Sequence, residues 1–290
     1  MVTVMNIEKY CDLHLHSYYS DGTCSPYEVV ESAKALGISS VALTDHNTIK
    51  GLGEFLEAGK NQGVDAISGI EFSVDYKGRE LHLLGLGINE KYFSEIEDMM
   101  DEYLRIREQS NRSMIEALRD AGYLIDYDEI YEKTENGYVN RAHIGAELVE
   151  KGYCATVREA FATLLSKDGP YFRPRVFPNV FDMIDYIGKI GAVSILAHPF
   201  LQFNEEELRE FLLEAKKCGL DGMETVYTEF SEEQTARLKA LAEEFDLLES
   251  GGSDFHGSTK PDVALGVGFG NLRVPERFAE NIKARMVNGV

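Results

Sequence analysis

Tyr10-Cys11-Asp12-Leu13-His14-Leu15-His16, then Ser25-Pro26-Tyr27-Glu28 running to Gly37, then Ser40-Val41-Ala42-Leu43, reads as strand, helix, strand. The first run alternates along a pleat, so Asp12, His14 and His16 share one face while Cys11, Leu13 and Leu15 share the other. Ser25 can cap the helix, Pro26 suits its first turn, Glu28 completes a capping box and Gly37 stops it. A second short apolar strand directly after that helix is the rhythm of a mostly parallel sheet.

The same alternation runs through the first ninety residues, with further strands expected at Val64–Phe72 and Leu81–Leu86. From Glu90 it breaks. Residues 92–121 read as one long amphipathic helix and 141–166 as more helices, with no strand signal until Tyr171–Val176. The alternation resumes with a helix from Asn179, strand Ala192–Ala197, helix Glu205–Lys217, strand Gly222–Tyr227, helix Ser231–Phe245 and strand Leu247–Gly251. Together the flanks make about seven strand–helix units, enough to close a barrel short of the eight-unit form. The expected organisation is therefore an α/β barrel from residues 1–90 and 177–290, carrying a mainly helical inserted cap at 91–176.

Composition narrows the function. The chain has 290 residues, 44% hydrophobic and 27% charged, which is globular rather than disordered. No run reaches the roughly 18 apolar residues of a membrane span. The start of the chain lacks the basic-then-apolar order of a signal peptide, so the expectation is a soluble, cytoplasmic protein with reduced cysteines. Lys and Arg total 29 against 50 Asp and Glu, a net charge of −21. That field repels long nucleic acids and leaves phosphate-bearing ligands to be drawn in by metal ions or a few placed arginines. The segment Gly53–Lys60 lacks the spacing and hydroxyl of a phosphate loop.

The seven histidines carry most of the information. They fall in His14-Leu15-His16, Asp45-His46, Leu81-His82-Leu83, Arg141-Ala142-His143, His198-Pro199 and Asp254-Phe255-His256, mostly at or just past predicted strand ends. In β/α barrels that rim holds the active site. Two imidazoles on one face beside a carboxylate form a chelating pair, and Asp45-His46 and Asp254-Phe255-His256 offer the same mixed donors. Such sets suit Zn²⁺, Mn²⁺ or Fe²⁺ rather than Ca²⁺. Glu71, at the end of the third strand, could bridge two ions. Acidic runs such as Glu205-Glu206-Glu207 read as solvated helix surface.

Asp12-Leu13-His14-Leu15-His16-Ser17 with Ser20-Asp21-Gly22, Thr44-Asp45-His46-Asn47, Gly69-Ile70-Glu71, His198-Pro199 and Gly252-Ser253-Asp254-Phe255-His256 together resemble the motifs of the PHP (polymerase and histidinol phosphatase) family. The resemblance implies a distorted (β/α)7 TIM-like barrel and a phosphoesterase centre of two or three divalent metal ions. It assigns His14, His16, Glu71 and Asp254 to one ion, Glu71, His82 and His198 to a second, and Asp21, His46 and His256 to a third. Asp21 and the compact Glu71–His82 spacing resemble the small nucleotide-phosphatase branch, in which a cap supplies phosphate-binding groups.

The insertion has matching candidates. Arg141 and His143 stand at an expected helix start, a good phosphate site. Arg173 and Arg175 add cations in an acidic chain. Arg141 is expected to clamp a phosphate and His143 to contact substrate or protonate the leaving alkoxide, while Asp12 and Asp45 orient neighbouring imidazoles. The expected activity is hydrolysis of small nucleotide monoesters by a metal-activated water. The substrate would be a 3′,5′-nucleoside bisphosphate, a nucleoside monophosphate or a short RNA 5′ end. Histidinol phosphate, an amidohydrolase-type reaction and a non-catalytic accessory module are the alternatives. No membrane or long nucleic acid is expected as partner, and the oligomeric state is left open.

Overall fold

Local signals build the first βαβ unit. In the computed structural model, which describes residues 9–134, 139, 141–166, 169–173 and 177–288, strand β1 (Tyr10–Leu15) leads into helix α1 (Pro26–Leu36). Ser25 and Glu28 form the expected capping box, and Gly37 ends the helix at φ 72°. Strand β2 (Ser40–Leu43) pairs parallel with β1, and helix α2 (Leu52–Gln62) returns the chain to β3 (Asp65–Tyr76), parallel to β2.

The next connection departs from the expected alternation. β3 runs past the Phe72 end expected for it and turns at Lys77-Gly78 directly into β4 (Arg79–Leu86), antiparallel to it. Both turn residues have positive φ, 53° and 78°, the two-residue turn that matches strand twist. Because β4 runs backwards, its first residues lie beside the last residues of β3. His82, near the beginning of its strand, therefore pairs with Ser73, two residues beyond Glu71.

Helix α3 (Phe93–Asp120) follows, then α4 (Tyr127–Glu132), α5 (Arg141–Glu150) and α6 (Val157–Ala162). The strand expected at Tyr171–Val176 is absent over Tyr171–Arg173, and residues 174–176 lie outside the described residues. Tyr171 and Phe172 instead pack against the core formed by Ile115, Leu118, Ile144 and Leu148. The barrel rhythm resumes with α7 (Val180–Lys189), β5 (Val193–Leu196), α8 (Glu205–Ala215), β6 (Gly222–Tyr227), α9 (Glu232–Glu244), β7 (Leu248–Gly252), a short β8 (Val274–Pro275) and α10 (Arg277–Asn288). The chain divides into two compact units, Met1–Glu97 with Pro178–Val290, and Asp98–Phe177.

The strands form one sheet in the order β7-β6-β5-β4-β3-β2-β1-β8. It curls into a distorted barrel whose core includes Leu13, Ala42, Ile67, Leu84, Ile195 and Val226. The seam between β7 and β1 is closed by backbone, with Asp254 N–H donating to His14 O and His16 N–H to Phe255 O. A Cβ on Gly252 would lie 2.4 Å from His14 Cβ, so the two strands can approach this closely only with glycine there.

Asp12 was expected to orient an imidazole, and the structure corrects this. Its carboxylate accepts Ser253 N–H at 2.8 Å, Ser253 Oγ–H at 2.6 Å and Gly266 N–H at 2.8 Å, all across the seam. Burial pushes its pKa up to about 6, against the pull of those donors. Asp12→Ala leaves two buried N–H groups unpaired and is expected to cost roughly 2–4 kcal/mol of unfolding free energy. A urea denaturation midpoint equal to wild type would show that the seam does not depend on Asp12.

Candidate metal centre

The geometry gathers side chains from six strands or their ends around one carboxylate. Glu71 sits on β3 just past its pairing with β2, where His46 bridges to it through the backbone. It is 1% exposed. Its Oε2 lies 3.3 Å from His14 Nε2, 3.3 Å from His16 Nε2 and 3.0 Å from His46 Nδ1. Its Oε1 lies 2.9 Å from His82 Nδ1 and 3.1 Å from His198 Nε2.

Asp254 closes the other side. Its Oδ1 is 3.2 Å from His16 Nε2 and 3.6 Å from His14 Nε2. Farther along the rim, Asp21 Oδ1 is 3.1 Å from His256 Nε2, and its Oδ2 is 3.8 Å from His46 Nε2. His256 Nδ1 sits 2.8 Å from the Asp254 carbonyl, an acceptor, so Nδ1 carries the proton and Nε2 is the nitrogen turned to Asp21.

Among the described residues four overlapping donor sets result, each with its ligand atoms within 4.8 Å of one another. They are His16, Asp21, His46 and His256; His14, Glu71 and His198; His14, His16 and Asp254; and His46, Glu71 and His82. Every residue the sequence suggested as a ligand is in one of them. His14 Nε2, His16 Nε2 and Glu71 Oε2 are buried with no hydrogen-bond partner among the described residues, although they face one another. Buried lone pairs left unbonded and converging are costly unless something cationic joins them. The mixed nitrogen and oxygen donors fit Zn²⁺, Mn²⁺ or Fe²⁺.

Without such an ion the charges fall on the imidazoles. Burial opposes ionisation of Glu71, but His46, His82 and His14 hold its carboxyl well below the usual carboxylate range. Burial likewise opposes protonation of His16 and His82, yet the carboxylates overrule it and raise them to about 9 and about 10. His46 goes the other way, down to about 3, because burial and the neighbouring His16 and His82 outweigh Glu71.

Asp45 does not touch an imidazole. It accepts Ser17 N–H at 2.7 Å, Ser17 Oγ–H at 2.7 Å and Ser20 Oγ–H at 2.6 Å, and reaches His16 only through Ser20 Oγ, 3.5 Å from Nδ1. Three contacts were missed from sequence. Glu224, fully buried on β6, faces His14 Nδ1 at 3.0 Å. Tyr227 OH donates to Asp254 Oδ2 at 2.8 Å, and Lys260 Nζ donates to the same oxygen at 2.6 Å. A glutamate inside the apolar strand Gly222–Tyr227 was the available signal for the first.

The remaining candidates lie in the second unit. Arg141 and His143 stand in the first turn of α5, and the Arg141 guanidinium lies 5.4 Å from the ring centres of both Phe161 and Phe172. Arg173 Nη1 donates to the Pro170 and Phe172 carbonyls. Arg175 lies outside the described residues.

Comparison with known proteins agrees with this geometry. The chain is 34% identical to a 5′-3′ exoribonuclease of Haemophilus influenzae over 84% of this chain and 89% of that one. It is 31% identical to a phosphoribosyl 1,2-cyclic phosphate 1,2-diphosphodiesterase of Eggerthella lenta, over 85% and 94% of the two chains. A 3′,5′-nucleoside bisphosphate phosphatase of Chromobacterium violaceum is 29% identical over 84% and 86%. Among solved structures, a Bifidobacterium adolescentis protein provisionally described as a metal-dependent phosphoesterase superposes with a TM-score of 0.74, at 29% identity and 96% coverage of each chain. The PHP domain profile matches residues 12–218. Histidines and carboxylates converging at the rim of a distorted barrel have the same explanation as these matches: the chain belongs to the PHP domain family and is a metal-dependent phosphoesterase.

Proposed function

We propose that this chain hydrolyses phosphate monoesters of small nucleotides, a 3′,5′-nucleoside bisphosphate first among them, at two or three divalent ions held by the Glu71 cluster. The observation that carries the reading is the unbonded convergence of His14 Nε2, His16 Nε2 and Glu71 Oε2. One ion would take His14, His16, Glu71 and Asp254, a second Glu71, His82 and His198, and a third Asp21, His46 and His256. Bound ions of this kind lower the pKa of water and offset phosphoryl charge.

The chain's own groups do the rest. His143 is the proposed proton donor to the leaving alkoxide. Arg141 is the proposed phosphate clamp, a fork suited to bidentate oxygen contacts. Its position over two aromatic rings supports that role by limiting the guanidinium's freedom. Arg173 is a weaker candidate, since backbone carbonyls already take its Nη1. The nucleotide preference rests on relatives named as acting on nucleoside bisphosphates and RNA. The exoribonuclease names favour a second substrate, a short RNA 5′ end, on the same chemistry.

His14→Ala or Asp254→Ala is expected to lower phosphate release by roughly 10³-fold or more while the far-ultraviolet spectrum is retained. Full activity in either variant would refute the ligand assignment. Phosphate release should be compared for a 3′,5′-bisphosphate, a nucleoside monophosphate, a 5′-phosphorylated trinucleotide and histidinol phosphate. The bisphosphate is expected to give the highest kcat/KM. Arg141→Ala should raise KM for it about tenfold, the equivalent of ~1.4 kcal/mol, and equal KM values would remove Arg141 from the substrate site.

Ion uptake should also depend on pH. Imidazoles bind metal only when neutral, and His16 and His82 are raised to about 9 and about 10 in the metal-free protein. Binding of Mn²⁺ near neutral pH is therefore expected to expel protons, and affinity should fall as pH falls. Titration calorimetry in two buffers of different ionisation heat would measure the protons released. Identical heats would contradict the expectation.

A further inference from the structure

Strand β6 supplies none of the proposed ligands, yet it touches three of them. We propose that β6 is the alignment strand of the cluster, with Glu224 and Tyr227 as positioning residues for the groups that bind the ions. The inference rests on the ion-binding reading above.

Glu224 is fully buried, and a buried carboxylate is expensive unless its lone pairs are all used. Both oxygens are used on the cluster. Oε1 lies 3.0 Å from His14 Nδ1, and Oε2 accepts the His198 backbone N–H at 2.7 Å. A carboxylate facing Nδ1 keeps the proton there and leaves the Nε2 lone pair directed at Glu71 and Asp254. The second bond holds His198, whose backbone sits at φ 31° and ψ 57°, a left-handed conformation unfavourable for a residue with a Cβ. One side chain thus fixes the ring of one proposed ligand and the strained backbone of another.

Tyr227 does the same for a third. Its hydroxyl donates to Asp254 Oδ2, leaving Oδ1 turned to His14 and His16. Asp254 is also left-handed, at φ 56°. Residues three apart on a regular strand face opposite ways, so Glu224 and Tyr227 could not both reach the cluster from an unbroken pleat. The β6–β7 register shifts between Glu224 and Val226, the kind of irregularity that re-aims side chains near active sites.

The test is Mn²⁺ affinity, measured by titration calorimetry on the full chain for wild type, Glu224→Gln, Glu224→Ala and Tyr227→Phe. Far-ultraviolet spectra and thermal midpoints of the metal-free proteins serve as the folding control. Both Glu224 variants are expected to bind Mn²⁺ about 10–100-fold more weakly, as losses of groups that orient metal ligands do. Tyr227→Phe should weaken it by roughly fivefold, one hydrogen bond. Glu224→Gln keeps the side-chain shape, so it and Tyr227→Phe decide the matter if the alanine variant does not fold. Lower thermal midpoints with wild-type Mn²⁺ affinity would overturn the inference, because Glu224 and Tyr227 would then be structural only. Wild-type protein that takes up no divalent ion would overturn this inference and the ion-binding reading together.

Discussion

A carboxylate cannot be moved out of water by itself. The desolvation of an isolated charge is far too costly, and it persists only where opposite charge or many donors surround it. Glu71 is such a group, almost completely buried, with imidazole nitrogens of His14, His16, His46, His82 and His198 within 3.3 Å of its two oxygens. Those imidazoles come from β1, β4 and the chain just beyond β1, β2 and β5. The residue at the middle of the cluster therefore requires that these elements meet at one rim.

The β3–β4 hairpin is how the sheet satisfies that requirement. A purely parallel barrel would place the start of β4 at the opposite end from Glu71. Reversal at Lys77-Gly78 brings His82 to the same rim. At the other edge, Asp12 ties the Ser253 and Gly266 backbones to β1, and glycine at position 252 lets β7 come close enough for Asp254 to face His14. The carboxylate at the centre and the carboxylate in the seam thus divide the work: one faces nitrogen donors, the other holds the strands that carry them.

What could be read from the sequence was what local chemistry determines. The α1 capping box, the β1 alternation and β6 at Gly222–Tyr227 lie where propensity and pattern placed them. The His14-Leu15-His16 face was legible because strand period alone puts both rings on one side. The hairpin was not, because Lys77-Gly78 is a weak turn signal: a residue with a Cβ rarely adopts the positive φ, 53°, that Lys77 has there. Tyr171–Val176 misled because aromatic residues favour strands, whereas Tyr171 and Phe172 pack into a helical core. Asp12 shares a face with two candidate ligands, yet Ser253 and Gly266, which donate to its carboxylate, are more than 240 positions away in sequence. Glu224 was overlooked for the related reason that its partners, His14 and His198, are distant along the chain.

Strain follows the same map. Among the described residues, left-handed non-glycine backbone occurs at Asn47, Lys77, His198, Asp246 and Asp254. Asn47 follows His46, while His198 and Asp254 are themselves in the donor sets. Each such residue costs about 1–3 kcal/mol and persists only where the surroundings over-determine it. Those surroundings are visible. Asn47 Nδ2 donates to Ser73 Oγ and its Oδ1 accepts Ser73 N–H, fixing the chain beside β3, while Glu224 holds His198 N–H and Tyr227 holds the Asp254 carboxylate. These hydrogen bonds hold Asn47, His198 and Asp254 in place from within the protein itself. Side chains held in this way can present donor atoms to cations at fixed spacing.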